Sequence, residues 1–319
     1  MAASLSGSAC GVIRPFYPDD HCPPDFGRLE RHIFQIEGIN IMIFPFEKYL
    51  GLIAMGFGVG AYGTLIGAGG GFVLMPILLL LYPDRSPELL TSISLAVVFF
   101  NAVSGSEAYA LMKRIDYKSG FLFALATIPG SILGALNTSM VSRRLFDIIF
   151  SVLLICASIF LMFRSGPPKE TCKEPCTMRF KMTRSIVDSH GIVYEYTFNP
   201  YLGVVLSIFV GYLSSFLGIG GGIIHVPILS YLLGFPVHIA TATSHFILAI
   251  MALTGTIVHI VKGTFHQGVH MTVSLAIGVV LGAQLGARLS ERIKGEWIIR
   301  GLSLALGLVG LRILMIVLW

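Results

Sequence analysis

Two glycine clusters in matching places are the residues whose types and spacing could do chemistry. One occupies residues 67–71 (GAGGG), with Pro76 five residues after its end, and the other occupies residues 218–222 (GIGGG), with Pro227 at the same distance. The amides of a glycine-rich turn can converge on an anion. A helix that starts at such a turn adds unpaired N–H groups and the positive end of its dipole. The clusters therefore predict an anion site made largely of backbone.

Hydroxyl side chains follow each cluster, near the start of the next long apolar segment. They could complete the hydrogen bonds of an oxyanion, whereas the ordinary alternatives are helix capping or a bond to a carbonyl one turn earlier. Because matched hydroxyl clusters accompany matched glycines, we favour a ligand role. The predicted substrate-binding residues are Gly67, Gly69, Gly70, Gly71, Thr91, Ser92, Ser94, Gly218, Gly220, Gly221, Gly222, Thr241, Thr243 and Ser244.

Three ionisable side chains are candidates for proton coupling. His225 lies three residues after the second cluster, and His245 belongs to the second hydroxyl-rich stretch. Imidazole titrates near neutral pH, so either histidine could carry a proton with the anion; an uncharged histidine that bridges two helices is the alternative. The first half has Leu74 and Leu95 at the matching positions, which makes any histidine role asymmetric. Glu107 is the third candidate.

Catalysis and metal binding have weaker support in the sequence. The nearest approach to a nucleophile–base pair is Ser214 or Ser215 with one of the two histidines above. The histidines between residues 259 and 270 have no cysteine or carboxylate at ligand spacing, as a metal site would require. We therefore predict no catalytic residues, no metal and no cofactor.

Long apolar segments must position these residues. Hydrophobic residues make up 55% of the chain and charged residues 12%, whereas soluble domains carry about 25% charged residues. Crossing the hydrocarbon core takes about 20 residues of helix. Runs of roughly that length cover 49–66, 89–112, 121–140, 145–163, 201–217, 239–261, 271–287 and 297–319. The sequence therefore predicts a multi-pass helical membrane protein.

Two shorter apolar runs, 72–82 and 223–235, begin directly after the glycine clusters. Glycines that only allow close helix packing are the alternative explanation, but paired half-length segments after glycine breaks are typical of discontinuous helices. The matched order of elements predicts an all-α transmembrane bundle of two homologous repeats, with about 8–10 membrane segments.

The direction of the second repeat depends on how the broken segments count. If both pieces cross together, each half has four crossings, and Lys and Arg gather on the side of the N-terminus, which would be cytoplasmic. If the pieces count separately, each half has five, the repeats are inverted and the N-terminus is outside. We favour the inverted arrangement because it offers a simple route to alternating access.

Polar segments divide the chain. We predict a polar N-terminal tail over 1–46, a first transmembrane repeat over 47–163, an extramembrane loop over 164–200 and a second repeat over 201–319. The loop contains a strand–turn–strand pattern over 184–197. A two-stranded hairpin is marginal alone, so we expect it to pack on the tail, a second subunit or a partner. For Cys172 and Cys176 in this loop we expect a structural role or none.

The paired motif G-x-GGG-x4-P-[IV]-L, once per half and followed by a hydroxyl-rich helix start, resembles the TauE/SafE family of sulfite and sulfonate exporters. The resemblance covers nearly all of both halves. It implies a secondary transporter in the cell (inner) membrane that exports a small anion, with sulfite, another sulfur oxyanion or an organosulfonate as the first candidate. The long tail, the central loop and Ile93, where the second half has Thr243, depart from the pattern.

Other functions stay open from the sequence alone. An intramembrane enzyme is one, and a membrane scaffold or sensor that docks a partner through the central loop is another. We identify no nucleotide-binding loop, so a gradient should drive transport. Much of the net charge of +5 falls at a membrane surface, so no nucleic-acid partner is predicted. The expected partners are a small anion and the bilayer, and the sequence leaves a homo-oligomer open.

Overall fold

The computed structural model describes residues 47–163, 181–290 and 295–318. The described residues from Tyr49 onward belong to one compact unit, whereas the predicted tail and the cysteines Cys10, Cys22, Cys172 and Cys176 lie outside the described residues. In chain order, the described elements are α1 (Glu47–Ile66), α2 (Gly71–Leu81), α3 (Pro87–Leu111), α4 (Tyr117–Asn137), α5 (Arg143–Phe163), β1 (Met182–Val187), β2 (Val193–Phe198), α6 (Pro200–Leu217), α7 (Gly222–Leu232), α8 (Val237–Val261), α9 (Val269–Leu289) and α10 (Gly295–Leu318).

The long helices are those that the apolar runs predict. Six of the described helices, α1, α3, α4, α6, α8 and α9, are long and apolar enough to cross a membrane. Local signals set their starts: α3 begins at Pro87, a favoured first position, and Ser86 caps it by accepting a hydrogen bond from the amide of Leu89. The prediction of an all-α polytopic membrane bundle is confirmed.

The repeats are inverted, as the central helices show. A Cβ at Gly105, in the second half of α3, would lie 3.1 Å from Nε2 of His245, in the first half of α8. A Cβ at Gly255, in the second half of α8, would lie 2.9 Å from Cδ1 of Leu95, in the first half of α3. Contacts that run in opposite order make these two helices antiparallel. Since α3 and α8 are matching elements of the repeat, the second repeat is upside down relative to the first.

Glycines bring two parallel helix pairs to backbone contact, α1 with α9 and α4 with α6. On α1, Gly56 lies against Leu275, and a Cβ at Gly60 would lie 2.6 Å from the carbonyl oxygen of Val279. Small residues permit such close approach in membranes. The pair α4 and α6 makes equivalent contacts, at Gly130 among others. Each pair joins a helix of one half to a helix of the other.

Each glycine break reverses the chain. The start of α2 at Gly71 approaches Val98, near the midpoint of α3, and its end approaches the start of α5, where Arg143 donates to the carbonyl of Leu79 at 3.2 Å. Arg143 also donates to the carbonyl of Arg85, just before α3. α2 therefore runs back toward the face where α3 begins, and the segments of the first half alternate in direction. This agrees with five segments in each half and excludes the arrangement with four.

The predicted hairpin is present, and it packs on helices of the same chain. β1 and β2 are antiparallel and pair Met182 with Phe198 at their open end. The rings of Tyr196 and Phe198 lie 4.4 and 4.9 Å from that of Phe235, between α7 and α8, and Phe123 of α4 completes the cluster. The bundle thus supplies support that we expected from the tail, a second subunit or a partner. We call the membrane face that carries the hairpin the hairpin face, and the other the opposite face.

Polar groups tie the hairpin to the turn between α3 and α4. The hydroxyl of Tyr196 donates to the carboxylate of Asp116 at 2.7 Å, and burial together with that carboxylate raises the pKa of Tyr196, which keeps its proton. The guanidinium of Arg114 lies 3.6 Å from the carboxylate of Asp188. The amide of Asp116 donates to Thr243 near the start of α8 at 3.1 Å. One set of contacts therefore joins the hairpin, this turn and α8.

Asp188→Asn should loosen the hairpin at neutral pH. Burial acts to raise the pKa of Asp188, but the amides of Ile192 and His190 and the nearby Arg114 outweigh it and hold the pKa below its usual 3.8. A depressed pKa means that the carboxylate stabilises the docked hairpin above its ordinary pKa and that this stabilisation is lost as the pH falls through the folded-state pKa.

Hydrogen exchange of the β1 and β2 amides, corrected for intrinsic rates, checks this. Protection of these amides in the wild type should fall on acidification below about pH 4. In Asp188→Asn the protection at neutral pH should already be lower, and it should change less with pH. Equal protection in both proteins at pH 7 would contradict the role given to Asp188.

Single cysteines on the two faces should be labelled from opposite sides of the membrane. Asp84, between α2 and α3, is exposed on the opposite face, and Glu195 of β2 is exposed on the hairpin face. In a variant without the 5 native cysteines, Asp84→Cys and Glu195→Cys should react with an impermeant maleimide on opposite sides of sealed vesicles. Labelling of both from one side would contradict the inverted repeat.

Candidate anion-binding site

The two glycine loops, residues 67–70 and 218–221, lie against one another at the centre of the bundle. A Cβ at Gly71 would lie 2.6 Å from the carbonyl oxygen of Ile219, and one at Gly222 would lie 2.8 Å from that of Ala68. Both loops also reach Val98, near the midpoint of α3. The breaks that are 150 or so residues apart in the chain are therefore in direct contact, and backbone fills the space where side chains would stand.

Each loop also contacts the hydroxyl-rich part of the central helix from the other half. A Cβ at Gly67 would lie 3.1 Å from Cα of Thr241, and one at Gly218 would lie 3.0 Å from Cα of Thr91. Exchanging the two halves of the chain turns one of these contacts into the other, so a pseudo-twofold axis passes between the loops. The predicted glycines and hydroxyl segments of both halves thus meet in one place.

Unpaired amides mark the start of both short helices. Gly70 and Gly221 have left-handed φ values of 74° and 66°, which glycine adopts at little cost, and no side chain caps either helix. Helix starts leave their first N–H groups without a partner. Among the described residues, no backbone carbonyl accepts from the amides of Gly70, Gly71, Phe72, Gly221 or Ile223. These groups are the donors that an anion would use.

Five of the six predicted hydroxyl ligands, all except Thr241, fall into two groups. Ser92 and Ser94 donate to backbone carbonyls, and Thr243 accepts from a backbone amide. These three hydroxyls stabilise the protein itself in this conformation. The hydroxyls of Thr91 and Ser244 are buried without a hydrogen-bond partner in the described part of the chain, which leaves them for a ligand.

His245 lies beside the first glycine loop. Its imidazole packs against Gly105 and stands edge-on to the ring of Tyr109, with the centroids 5.4 Å apart. The ring nitrogens are near the carbonyls of Thr241 and Gly67 but make no hydrogen bond of good geometry within the described residues. A fully buried imidazole without a fixed partner could take part in proton movement at this loop.

The other two proton-coupling candidates occupy different places. His225 of α7 is buried, and its Nε2 lies 3.2 Å from the hydroxyl of Ser207 on α6, so it bridges two helices as the ordinary alternative requires. Glu107 is exposed on α3, whereas the glycine loops are buried. The structure thus brings His245, and not Glu107, to the loops.

Three buried residues that the site prediction omits lie at the first glycine loop. Thr64 donates to Oδ1 of Asn101 at 3.1 Å, and the hydroxyl of Tyr109 donates to the carbonyl of Thr64 at 2.8 Å. Nδ2 of Asn101 would lie 3.5 Å from a Cβ at Gly70. A lone asparagine in an apolar run was a signal for this place, but nothing in the sequence puts the other two beside it.

The serine–histidine pairs considered for catalysis are not assembled. Ser215 shares a hydrogen bond of 2.6 Å with Ser131, and Ser214 has no partner within the described ranges. No hydrogen bond joins either serine to His225 or His245 there. The same ranges contain no group of three His, Cys, Asp or Glu residues that could hold a metal ion.

The candidate site is closed in this conformation. Every residue from Gly67 to Gly71 is buried. A cavity of about 460 Å³ opens between α4, α5 and α6, where Asn137, Ile149 and Tyr212 help to line it, and no residue of either loop belongs to its lining. Access to the loops therefore requires helices to move.

Gly71→Ala and Gly222→Ala should both destabilise the protein, because each added Cβ would collide with the backbone of the other loop. Overpacking of this kind costs about 1–3 kcal/mol, which thermal unfolding in detergent can measure. Gly58→Ala is the matched control, since a Cβ there meets nothing within 4 Å. Unfolding temperatures equal to that of the control would contradict the contact between the loops.

Comparison with known proteins gives a family and several relatives. The family model described as "Sulfite exporter TauE/SafE" matches residues 52–313. The probable membrane transporter protein YunE of Bacillus subtilis (strain 168) is 33% identical over 219 residues, which are 66% of this chain and 78% of that protein. A probable membrane transporter protein of Methanocaldococcus jannaschii is 26% identical over 219 residues, 67% of this chain and 73% of the relative.

A more distant relative is a probable membrane transporter protein of Xylella fastidiosa, which is 24% identical over 182 residues, 57% of this chain and 61% of that protein. No solved structure matches the chain.

Proposed function

This chain belongs to the sulfite exporter TauE/SafE family of multi-pass membrane proteins, and on that premise we propose that it is a secondary transporter that exports a small anion. Sulfite, another sulfur oxyanion or an organosulfonate is the first candidate substrate. The anion binds at the glycine loops, where unpaired amides of the first and second halves meet. The family description names sulfite export, and the relatives are named as transporters.

The observation that carries the proposal is the meeting of two discontinuous helices at the midpoints of α3 and α8. Irregular backbone at membrane depth is tolerated where protein buries it or where it lines a substrate pathway. Half-helix N-termini in such a place attract anionic groups. Two of them beside one pseudo-twofold axis favour an anion over a cation.

Neutral donors account for release as well as binding. The candidate ligands are amides and hydroxyls, while Arg114 and Lys262 are held in ion pairs near the membrane faces. Without a formal positive charge beside it, the anion should bind with moderate affinity. Moderate affinity suits a transporter, because the substrate must leave as well as enter.

Alternating access follows from separate ties on the two faces. On the opposite face, Lys262 at the end of α8 lies 2.8 Å from the carboxylate of Glu88 at the start of α3 and also bonds to Ser139 after α4. On the hairpin face, Asp116 joins Tyr196 to Thr243. In transport, the contacts on one membrane face break while those on the other face stay formed. The loops are then exposed to one side of the membrane at a time.

His245 is the favoured carrier of a coupled proton. It lies beside the first glycine loop, close enough to respond to a bound anion, and it is buried away from water. A proton on its imidazole would offset the charge of the substrate. His225 is the alternative, because its Nδ1 has no partner in the described chain.

Proteoliposomes with an imposed proton gradient test the function. The purified protein should move sulfite, followed by its reducing activity in the external medium, at a rate that depends on the gradient. His245→Gln should retain sulfite exchange and lose the dependence on the proton gradient. Absence of flux for sulfite and for a small organosulfonate would contradict the proposal and favour an enzyme or a scaffold.

Gly70→Val and Gly221→Val should each reduce sulfite flux by about tenfold or more, while the amount of protein inserted into the membrane is unchanged. Both positions have left-handed φ, where a β-branched residue is strongly disfavoured, and the added side chain would displace the amides from their present directions. Gly58→Val is the control, because that glycine faces open space in α1. Flux equal to that of the control in either loop variant would contradict a role for the loops.

A further inference from the structure

The side-chain amide of Asn101 has a free donor at the first glycine loop, and Met251, at the matching position beside the second loop, has none. We propose that the anion binds off the pseudo-twofold axis, at the first loop, with Nδ2 of Asn101 as a direct ligand beside the amides of Gly70 and Gly71. This inference rests on the proposed function, and it changes the site from a symmetric one to a one-sided one.

Asn101 is fully buried, and only one of its two polar side-chain atoms has a hydrogen-bond partner among the described residues. Its Oδ1 accepts from the hydroxyl of Thr64 at 3.1 Å, which fixes the orientation of the amide and leaves Nδ2 on the other side. Nδ2 has no hydrogen-bond partner among the described residues. It lies 3.5 Å from the place of a Cβ at Gly70. A buried donor without an acceptor is unfavourable, and a bound oxyanion would remove that deficiency.

The inverted repeat gives an internal comparison for this position. Gly105 and Gly255 are matching residues of α3 and α8, so the residue that matches Asn101 is Met251. Met251 is also next to its glycine loop, with Cε 3.1 Å from the place of a Cβ at Gly221. A thioether has no proton to donate. The two positions therefore have the same place in the fold, but only Asn101 carries a hydrogen-bond donor.

A second pair of matching residues differs in the same sense. At the first loop, His245 packs against Gly105, and at the second loop Leu95 packs against Gly255. Asn101 and His245 thus have apolar counterparts at the second loop, whereas the counterpart of Thr64 is the polar residue Ser215.

At the second loop the hydroxyl of Ser214 is buried without a partner among the described residues, 3.0 Å from the place of a Cβ at Gly221. The second loop therefore offers a single hydroxyl where the first offers an amide group.

The short helices differ as well. α2 is a regular helix of 11 residues from Gly71 to Leu81. In α7 only Gly222–Pro227 is α-helical, and Ile228–Leu232 continues as a π-helix. Because aligned peptide dipoles add along a regular helix, α2 offers the more favourable N-terminus for an anion.

This set of donors selects a class of ligand. The amide of Asn101 supplies two N–H groups and the backbone of the loop supplies two more, all without charge. A compact oxyanion with three oxygens on one atom, such as sulfite or the head of a sulfonate, can accept from several of them at once. The unpaired groups at this place are N–H donors, which favours an anion over a cation.

Sulfite-dependent thermal stabilisation of the purified protein in detergent tests the proposal. Ligand binding to the folded state raises the unfolding temperature with ligand concentration, so a titration gives an apparent Kd. Asn101→Leu removes the donor, and Asn101→Asp keeps an acceptor for Thr64 but places an oxygen where Nδ2 stood. Both should raise the apparent Kd for sulfite by about tenfold or more, as for loss of a hydrogen bond to a charged group.

Met251→Leu is the matched control at the second loop, and it should change the apparent Kd by less than about twofold. Each variant is judged by the shift that sulfite causes in its own unfolding temperature, because Asn101→Asp also buries a carboxyl, which lowers stability without ligand. An unchanged Kd in both Asn101 variants, or an equal loss in Met251→Leu, would overturn the one-sided site while leaving the proposed function intact. A wild-type protein that neither binds nor transports sulfite or a sulfonate would overturn both.

Discussion

The contact between the two glycine loops is the constraint on which the rest of the structure depends. Each loop interrupts a helix inside the membrane, where an unpaired amide or carbonyl costs several kcal/mol if lipid surrounds it. Each loop instead covers the other, through Gly71 against Ile219 and Gly222 against Ala68. α3 and α8 pass beside the two loops in opposite directions, as the inverted repeat places them.

Glycine also interlocks the two repeats. α1 of the first repeat meets α9 of the second at backbone distance, and α4 meets α6 in the same way. Backbone contact leaves no flexible side chain to absorb a displacement, so each of these pairs should move as one body. The moving parts of the proposed transport cycle are therefore the pairs α1·α9 and α4·α6, each drawn from both repeats.

The sequence predicts the helices, the breaks and the repeat because each depends on composition and local spacing, as with Pro76 and Pro227 after the glycines. It also predicts the hairpin. What it misses depends on contacts between distant residues: Thr64 beside Asn101 and Tyr109, or the hairpin on Phe235. Ser92, Ser94 and Thr243 look equivalent to Thr91 and Ser244 in the sequence, but their rotamers and neighbours make them structural. The asymmetry between the loops is foreseen only in part, at His245 and Leu95.

The hairpin has a consequence for the energies of the transport cycle. A perfectly symmetric inverted repeat would have two end states, open to one side or to the other, that are images of each other and equal in free energy. β1 and β2 occur once in the described chain and tie only one face, through Asp116 and Arg114. Their contacts lower the free energy of one end state alone. In the proposed cycle the hairpin contacts therefore favour the state in which the hairpin face is shut, and the contacts of Lys262 on the opposite face act against them.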